Sequence, residues 1–331
     1  METNQFTGPL FIVGMPRSGT KLLRDLLNQN PKIGIPTIES HLIPYMIDRF
    51  GNPPKFEKND AFDQFYKAFT QTSFFWHMKK TDRVLNKNDI DKVADRTSWR
   101  SIFEVILRFY APQGRDEDFI WGDKTPGYLS QMNLLKALYP EARFLHIIRD
   151  ARDYCLSIKK TWGKSLYRAA DRWRQTLETA RANSQQFGVD YMEVLYESLL
   201  GDAKKVLTDI CKFLDCQFIP DMTQLAEPSE NYGAAKGQIR IVRENQKKYL
   251  TQLSSSQVRR IEEIVYPVAK SIGYEFEYDV AFSPLSPPLL KLLMWYDGWA
   301  SVKFHINEKG LRQGLGYFVK LHRQARTGLR T

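Results

Sequence analysis

Residues 9–28, PLFIVGMPRSGTKLLRDLLN, constrain this chain more than any other stretch. Leu10, Phe11, Ile12 and Val13 form an apolar run of the length of one strand buried on both faces. Gly14, Pro16 and Gly19 break it into a tight loop. Beyond Gly19, Leu22, Leu23, Leu26 and Leu27 recur at helical spacing. Strand, glycine loop and helix in that order aim backbone N–H groups and a positive helix end at a phosphate-like anion. The nucleotide phosphate loop G-x-x-x-x-G-K-[ST] has the same glycine spacing. Here, however, Thr20 and Lys21 come in reversed order, and Arg17 adds a fixed cation inside the loop. The bland alternative is a plain strand-to-helix connector. The joint presence of strand, paired glycines, Arg, Ser and Thr favours an anion cradle.

Similar signals follow along the chain. Residues 119–126, FIWGDKTP, read as a short strand ending in a polar turn, with Thr125 as helix N-cap and Pro126 at the first helical position. Residues 143–149, RFLHIIR, read as another buried strand running straight into a helix over 150–160, and 189–197 as a further strand. Helices are expected over 61–75, 98–110, 164–186, 202–214 and 254–271. The bulky residues of the first two, among them Phe62, Phe65, Phe69, Trp99 and Phe103, suit a packed face better than a ligand box. Residues 227–243 lack periodicity and read as a long loop of the kind that serves as a lid.

Strands alternating with helices predict a three-layer α/β/α fold with a mainly parallel central sheet. In such sheets the ligand sits at the carboxyl ends of the strands. Arg17, Lys124, Arg149 and Tyr196 each fall at such an end. Glu39 and His41 lie in the segment that would pass the mouth of the first loop.

At 331 residues with 43% hydrophobic content, the chain has ample material for a core. Its 48 Lys and Arg against 38 Asp and Glu point to an anionic ligand or surface. Cys155, Cys211 and Cys216 make neither a disulfide framework nor a metal spacing. Reduced thiols, and a first strand too near the start to leave room for a signal peptide, suggest the cytoplasm. Past Tyr278 the character changes. Residues 279–331 read as a basic, aromatic extension to a main domain of residues 1–278, docked on it. A peripheral membrane contact is the alternative.

The PRSGT loop and RDARDYCLS (149–157) together resemble the sulfotransferase family, in particular the branch with the protein-tyrosine sulfotransferases and bacterial homologues. The resemblance covers residues 11 to about 273 and implies a P-loop NTPase-like sulfotransferase fold. The implied reaction moves a sulfuryl group from 3′-phosphoadenosine 5′-phosphosulfate (PAPS) to a hydroxyl or amine. It implies that Arg17, Ser18, Gly19 and Thr20, with Lys21 beside them, hold the 5′-phosphate end. Arg149 and Ser157 would then hold the 3′-phosphate, Glu39 act as general base and Lys124 stabilise the transition state with Arg17. Tyr196 lies near the nucleotide, and Lys248 is a late nucleotide-binding lysine.

The serine that assists the transition state in tyrosine-sulfating members has no clear counterpart; Gly233 falls near its place and Ser229 a few residues away. The acceptor is therefore open among carbohydrate, lipid, small alcohol, phenol and peptide, and oligomeric state is not legible. A sulfuryl group carries less charge than a transferring phosphoryl group, so cations and N–H donors would suffice without a metal. Without the resemblance, spacing favours neither Glu39 nor His41 as the base. Two other classes compete: a P-loop kinase using ATP and Mg²⁺ with Asp123 as metal ligand, and a non-catalytic basic nucleic-acid-binding protein.

Overall fold

The structure, a computed structural model, describes residues 5–56, 58–81, 83–113, 118–229 and 235–310. The chain falls into two units, residues 1–148, 183–230 and 237–241 in one and 149–182, 231–236 and 242–331 in the other.

The first unit holds the whole sheet. Its elements are β1 (Leu10–Gly14), α1 (Thr20–Leu27), β2 (Ile33–Gly34), α2 (Leu42–Phe50), α3 (Asn59–Thr70), α4 (Ser73–Lys79), α5 (Lys87–Asp91), α6 (Trp99–Tyr110), β3 (Ile120–Lys124), α7 (Met132–Leu138) and β4 (Arg143–Ile148). The second unit contributes α8 (Ala151–Trp162) and most of α9 (Leu166–Ser184). The chain then returns to the first for β5 (Tyr191–Leu195), α10 (Tyr196–Gly201) and α11 (Ala203–Phe213). The second unit also contains α12 (Tyr249–Gln252), α13 (Ser255–Ile272) and α14 (Pro287–Lys309).

All five strands are parallel, in the order β2-β3-β1-β4-β5. β1 is central, and Leu10 to Val13 are wholly buried, as an unbroken apolar run requires. Alternation along the strands separates two faces. Leu10, Ile12, Leu145, Ile147 and Val194 meet the four leucines of α1 together with Leu207 and Ile210 of α11 and Leu214 just after it. Burying each such side chain contributes about 1.5–3 kcal/mol before entropy is counted. On the other face Phe11 packs against Tyr128, Tyr139 and Phe144. The sheet with helices on both faces is the α/β architecture expected.

Phe62, Phe65 and Phe69 of α3 and Trp99 and Phe103 of α6 are core, and Phe56 makes ring contacts with Phe62, Phe65 and Trp99. Two local expectations need correction. The helix expected over 61–75 is two helices, because the Thr72 hydroxyl accepts from the Phe75 N–H and starts α4. After Thr125 the chain makes a 3₁₀ turn (Pro126–Gln131) before α7, and Thr125 does not cap it. Its hydroxyl is taken by Asp123.

In the second unit Arg152 forms the centre of a buried ionic cluster, bonded to Asp150 at 2.7 Å and Glu262 at 2.6 Å. Its guanidinium lies 4.2 Å from the Tyr249 ring centroid. α14 is fastened through Asp297, which accepts from Ser165 N–H and from Arg168, each at 2.7 Å. Residues 311–331 of the basic extension lie outside the described residues, as does Gly233. The described part of the expected lid, 227–229 and 235–243, contains no helix.

Candidate active site

In the first unit the site begins where β1 ends. Gly14 lies against β4 so closely that a Cβ would stand 2.6 Å from the Ile147 carbonyl oxygen. Gly19 has φ 94°, and a Cβ there would meet the Tyr196 ring at 2.3 Å. Only glycine satisfies both the left-handed backbone and the contact. Tyr196, buried at the start of α10, is therefore the floor on which the loop turns. Arg17 also takes a left-handed conformation, φ 73°, and Ser18 donates its N–H to the Met15 carbonyl at 3.1 Å. α1 starts at Thr20 with no side-chain cap on Gly19. Its first turn, where an α-helix directs N–H groups outward along its axis, sits beside buried Ser18 and Thr20 and half-buried Arg17 and Lys21. This donor set suits a phosphate-like anion.

The second element is the segment from Thr37 to His41. Arg24, buried on α1, donates to the Thr37 carbonyl and is paired with Asp25. Glu39 then meets the last residue of β3: the Lys124 ammonium donates to Glu39 Oε1 at 2.6 Å. His41 Nε2 lies 3.3 Å from Glu39 Oε2, so the two candidate bases form a contacting pair. The Lys124 side chain is 4% exposed and that of Glu39 39%, which leaves the carboxylate as the open member.

These surroundings act on both groups. Burial works to raise the Glu39 carboxyl, but hydrogen bonds and charge from His41 and Lys124 together outweigh it and hold it at about 2. Burial pushes Lys124 below the ordinary lysine value, with Arg24 adding repulsion, while Glu39 and Asp123 work to keep it charged.

Beneath this pair is a buried network that residue patterns did not reveal. Asp123 is fully buried and accepts from the hydroxyls of Ser40 and Thr125, the latter at 3.0 Å. Thr125 in turn accepts the Ser40 N–H at 3.1 Å. Because the single Ser40 hydroxyl proton goes to Asp123, Tyr128 donates to Ser40 at 3.1 Å and accepts the Ile43 N–H at 3.1 Å. Burial raises the Asp123 carboxyl, and the two hydroxyl bonds counteract it. Asp123 and Thr125, two apart on an extended chain, point one way into this network and Lys124 points the other way, to Glu39. Asp123 thus anchors the Glu39 segment; both its oxygens are already engaged, which argues against its expected part as a kinase metal ligand.

The second unit gathers three of the remaining candidates. Arg149, the residue after β4, is buried and donates from Nη2 to the Asn245 carbonyl at 3.0 Å. Lys248 Nζ donates to the Asn245 side-chain oxygen at 2.5 Å. Two cations 99 positions apart thus converge on one asparagine. Burial raises the Asp153 carboxyl above the usual carboxylate range, with Arg149 and Lys248 near enough to counteract it in part. It also accepts the Tyr249 N–H at 3.0 Å, which holds the 245–249 turn to α8. Ser157 lies half-buried one further turn along α8. Asp150 bonds with Arg152 and caps α8 through the Arg152 N–H.

The sequence model of the sulfotransferase family matches residues 9–220, and the chain belongs to that family. It is 26% identical over 214 residues to a protein-tyrosine sulfotransferase of Drosophila melanogaster, covering 62% of this chain and 38% of that protein. It is 24% identical over 235 residues to protein-tyrosine sulfotransferase 1 of Danio rerio, covering 69% of this chain and 58% of the relative. The matched part thus spans well under two thirds of either relative's length.

Among solved structures, the sulfotransferase domain of the Synechococcus PCC 7002 olefin synthase superposes with a TM-score of 0.53 at 20% identity. The match covers 83% of this chain and 98% of that one. The sulfotransferase domain from the curacin biosynthetic pathway gives 0.50 at 19% identity, over 82% and 100% of the two chains. These likenesses are of fold.

Proposed function

We propose that the chain transfers a sulfuryl group from PAPS to an acceptor hydroxyl or amine. The observation that carries the reading is the Lys124–Glu39 pair at the carboxyl end of β3, a buried ammonium against an accessible carboxylate. The uncapped α1 terminus with Arg17, Ser18, Gly19, Thr20 and Lys21 fits the 5′-phosphosulfate, and Arg149, Ser157 and Lys248 fit the 3′-phosphate. Tyr196 acts by supporting Gly19.

In the reaction the acceptor oxygen forms a bond to sulfur as the sulfur–oxygen bond to the 5′-phosphate breaks, and the acceptor proton passes to Glu39. A carboxylate held near 2 is a weak base. The pairing that weakens it is also the means of correcting it. As Lys124 turns to the charge developing on the departing phosphate, Glu39 loses the partner that lowers it, and burial, which raises it, remains. Base strength and leaving-group stabilisation are thereby coupled through one hydrogen bond. His41 orients Glu39 from the other side.

The acceptor belongs to the carbohydrate, lipid, small alcohol, phenol or peptide classes; the names of the relatives make a tyrosyl hydroxyl one member of that set. The free thiols of Cys155, Cys211 and Cys216 suit a cytoplasmic setting. The test is incubation of the purified protein with ³⁵S-labelled PAPS and a cell extract, in excess chelator. Labelled acceptor is the expected result. Transfer of phosphate from ATP that depends on Mg²⁺, with none from PAPS, would instead establish the kinase reading.

A further inference from the structure

The distribution of exposed apolar side chains in the second unit is uneven. Among the described residues, half of the large exposed apolar side chains lie on α14. Leu292, Trp295, Tyr296 and Trp299 are 65%, 74%, 55% and 71% exposed. Their spacing, i, i+3, i+4 and i+7, places them on one face of the helix. The opposite face is the docked one, where buried Asp297 bonds to Ser165 and Arg168 and the Ala300 Cβ lies near Gly163. α14 is therefore held to its own unit around Asp297 and Ala300, and it presents two tryptophans, a tyrosine and a leucine on another face, with Met294, 50% exposed, outside that face.

Solvent exposure of such a patch on a soluble chain is unfavourable, so an occupant is expected. Charge selects among occupants. Lys291 and Lys303 are exposed on α14 at either end of the aromatic patch. Beyond Gly310 the sequence adds Arg312, Lys320, Arg323, Arg326 and Arg330 with no Asp or Glu. Two copies of this face brought together would set Lys291 and Lys303 of one against those of the other. An anionic bilayer would neutralise them while taking the indole rings at the level of its headgroups, where Trp and Tyr are preferred.

We propose that the Leu292–Trp295–Tyr296–Trp299 face of α14 is a peripheral membrane-binding surface that lies flat on an anionic phospholipid bilayer. Orientation follows from the docked side: the Asp297 ion pair faces the protein, so the helix axis runs along the membrane plane and only the aromatic face enters the interface. No helix among the described residues is long and apolar enough to cross a membrane. The inference does not depend on the transfer reaction, since none of these residues is placed in that machinery.

The test uses the full chain and sedimented vesicles of phosphatidylcholine, alone or with roughly one third phosphatidylglycerol. The expected result is binding to the anionic vesicles, weakened by salt, with tryptophan emission quenched by bromine-labelled acyl chains. W295S/W299S should lower the partition coefficient about tenfold or more and remove the quenching, with the circular-dichroism spectrum unchanged. Three results would overturn the proposal: no binding to anionic vesicles; binding unchanged in W295S/W299S but lost in R312Q/K320Q/R323Q, which would assign it to tail charge alone; or a dimer in analytical ultracentrifugation that W295S/W299S dissociates, which would assign the face to a second copy.

Discussion

The two candidate clusters are built on opposite principles. In the first unit, Glu39 and Lys124 rest on hydrogen bonds made by uncharged or fully engaged groups: Asp123, Ser40, Thr125 and Tyr128, each buried. In the second, Arg149 and Lys248 are cations gathered around one asparagine, with Asp153 beside them. A network of fixed hydroxyls holds a carboxylate to a few tenths of an ångström, as proton transfer demands. Convergent cations supply attraction to a charged ligand with looser demands on position. On the proposed reading the difference separates chemistry from binding, and substitutions in the two clusters should therefore read out differently.

Lys124→Ala should have the largest effect among these. On the proposed reading it removes the cation that meets the leaving phosphate, and kcat should fall about 10²- to 10³-fold, with affinity for adenosine 3′,5′-bisphosphate nearly unchanged. Steady-state kinetics and calorimetry on the same preparation check this. Arg149→Ala should do the reverse, weakening that nucleotide about 10- to 100-fold with a smaller change in kcat. If it lowered turnover alone, the division between the clusters would be wrong.

A sharper probe is Asp123→Asn, which keeps the shape but gives a hydroxyl donor an amide donor to face. Thermal or denaturant unfolding should show about 1–3 kcal/mol lost. The kcat should drop about tenfold at constant KM for the donor, because the segment carrying Glu39 loses its anchor. Ser40→Ala should produce the same split, whereas a purely structural role would spare the kinetics of the folded fraction.

How much of this was legible in the sequence depended on the range of the interactions. The β1 loop and α1 were readable because their signals are local: an apolar run, two glycines six positions inclusive apart, and leucines at helical spacing. The convergence of Arg149 and Lys248 on Asn245 and the Asp123–Ser40 bond are not local. The latter joins residues 83 apart, and no periodicity encodes it. Asp123 and Thr125 did carry a trace of it, since alternation on a strand puts them on the side opposite Lys124. Reading Thr125 as a helix cap obscured that trace, because Thr before Pro is a common cap pattern. Thr72 was missed for the converse reason: the apolar spacing of α3 continues into α4, so the break shows only in the capping bond. The general-base role proposed for Glu39 rests on family resemblance, because spacing favours neither Glu39 nor His41.

The smallest effect concerns acid stability. With its folded value near 2 against about 4.5 unperturbed, Glu39 favours the folded state when ionised. That contribution is complete above about pH 4.5 and is lost as pH falls towards 2. Acid unfolding of wild type and Glu39→Gln should therefore converge across that interval. A difference that instead grew with acid would reverse the sign of the pairing.

The central claim is that Glu39 takes the acceptor proton while the nucleotide is held by other groups. Single-turnover transfer of labelled sulfate by Glu39→Gln, with nucleotide affinity measured in parallel, tests it most directly. The account predicts transfer reduced by at least about 10² and affinity within a small factor of wild type. Transfer at the wild-type rate would contradict it.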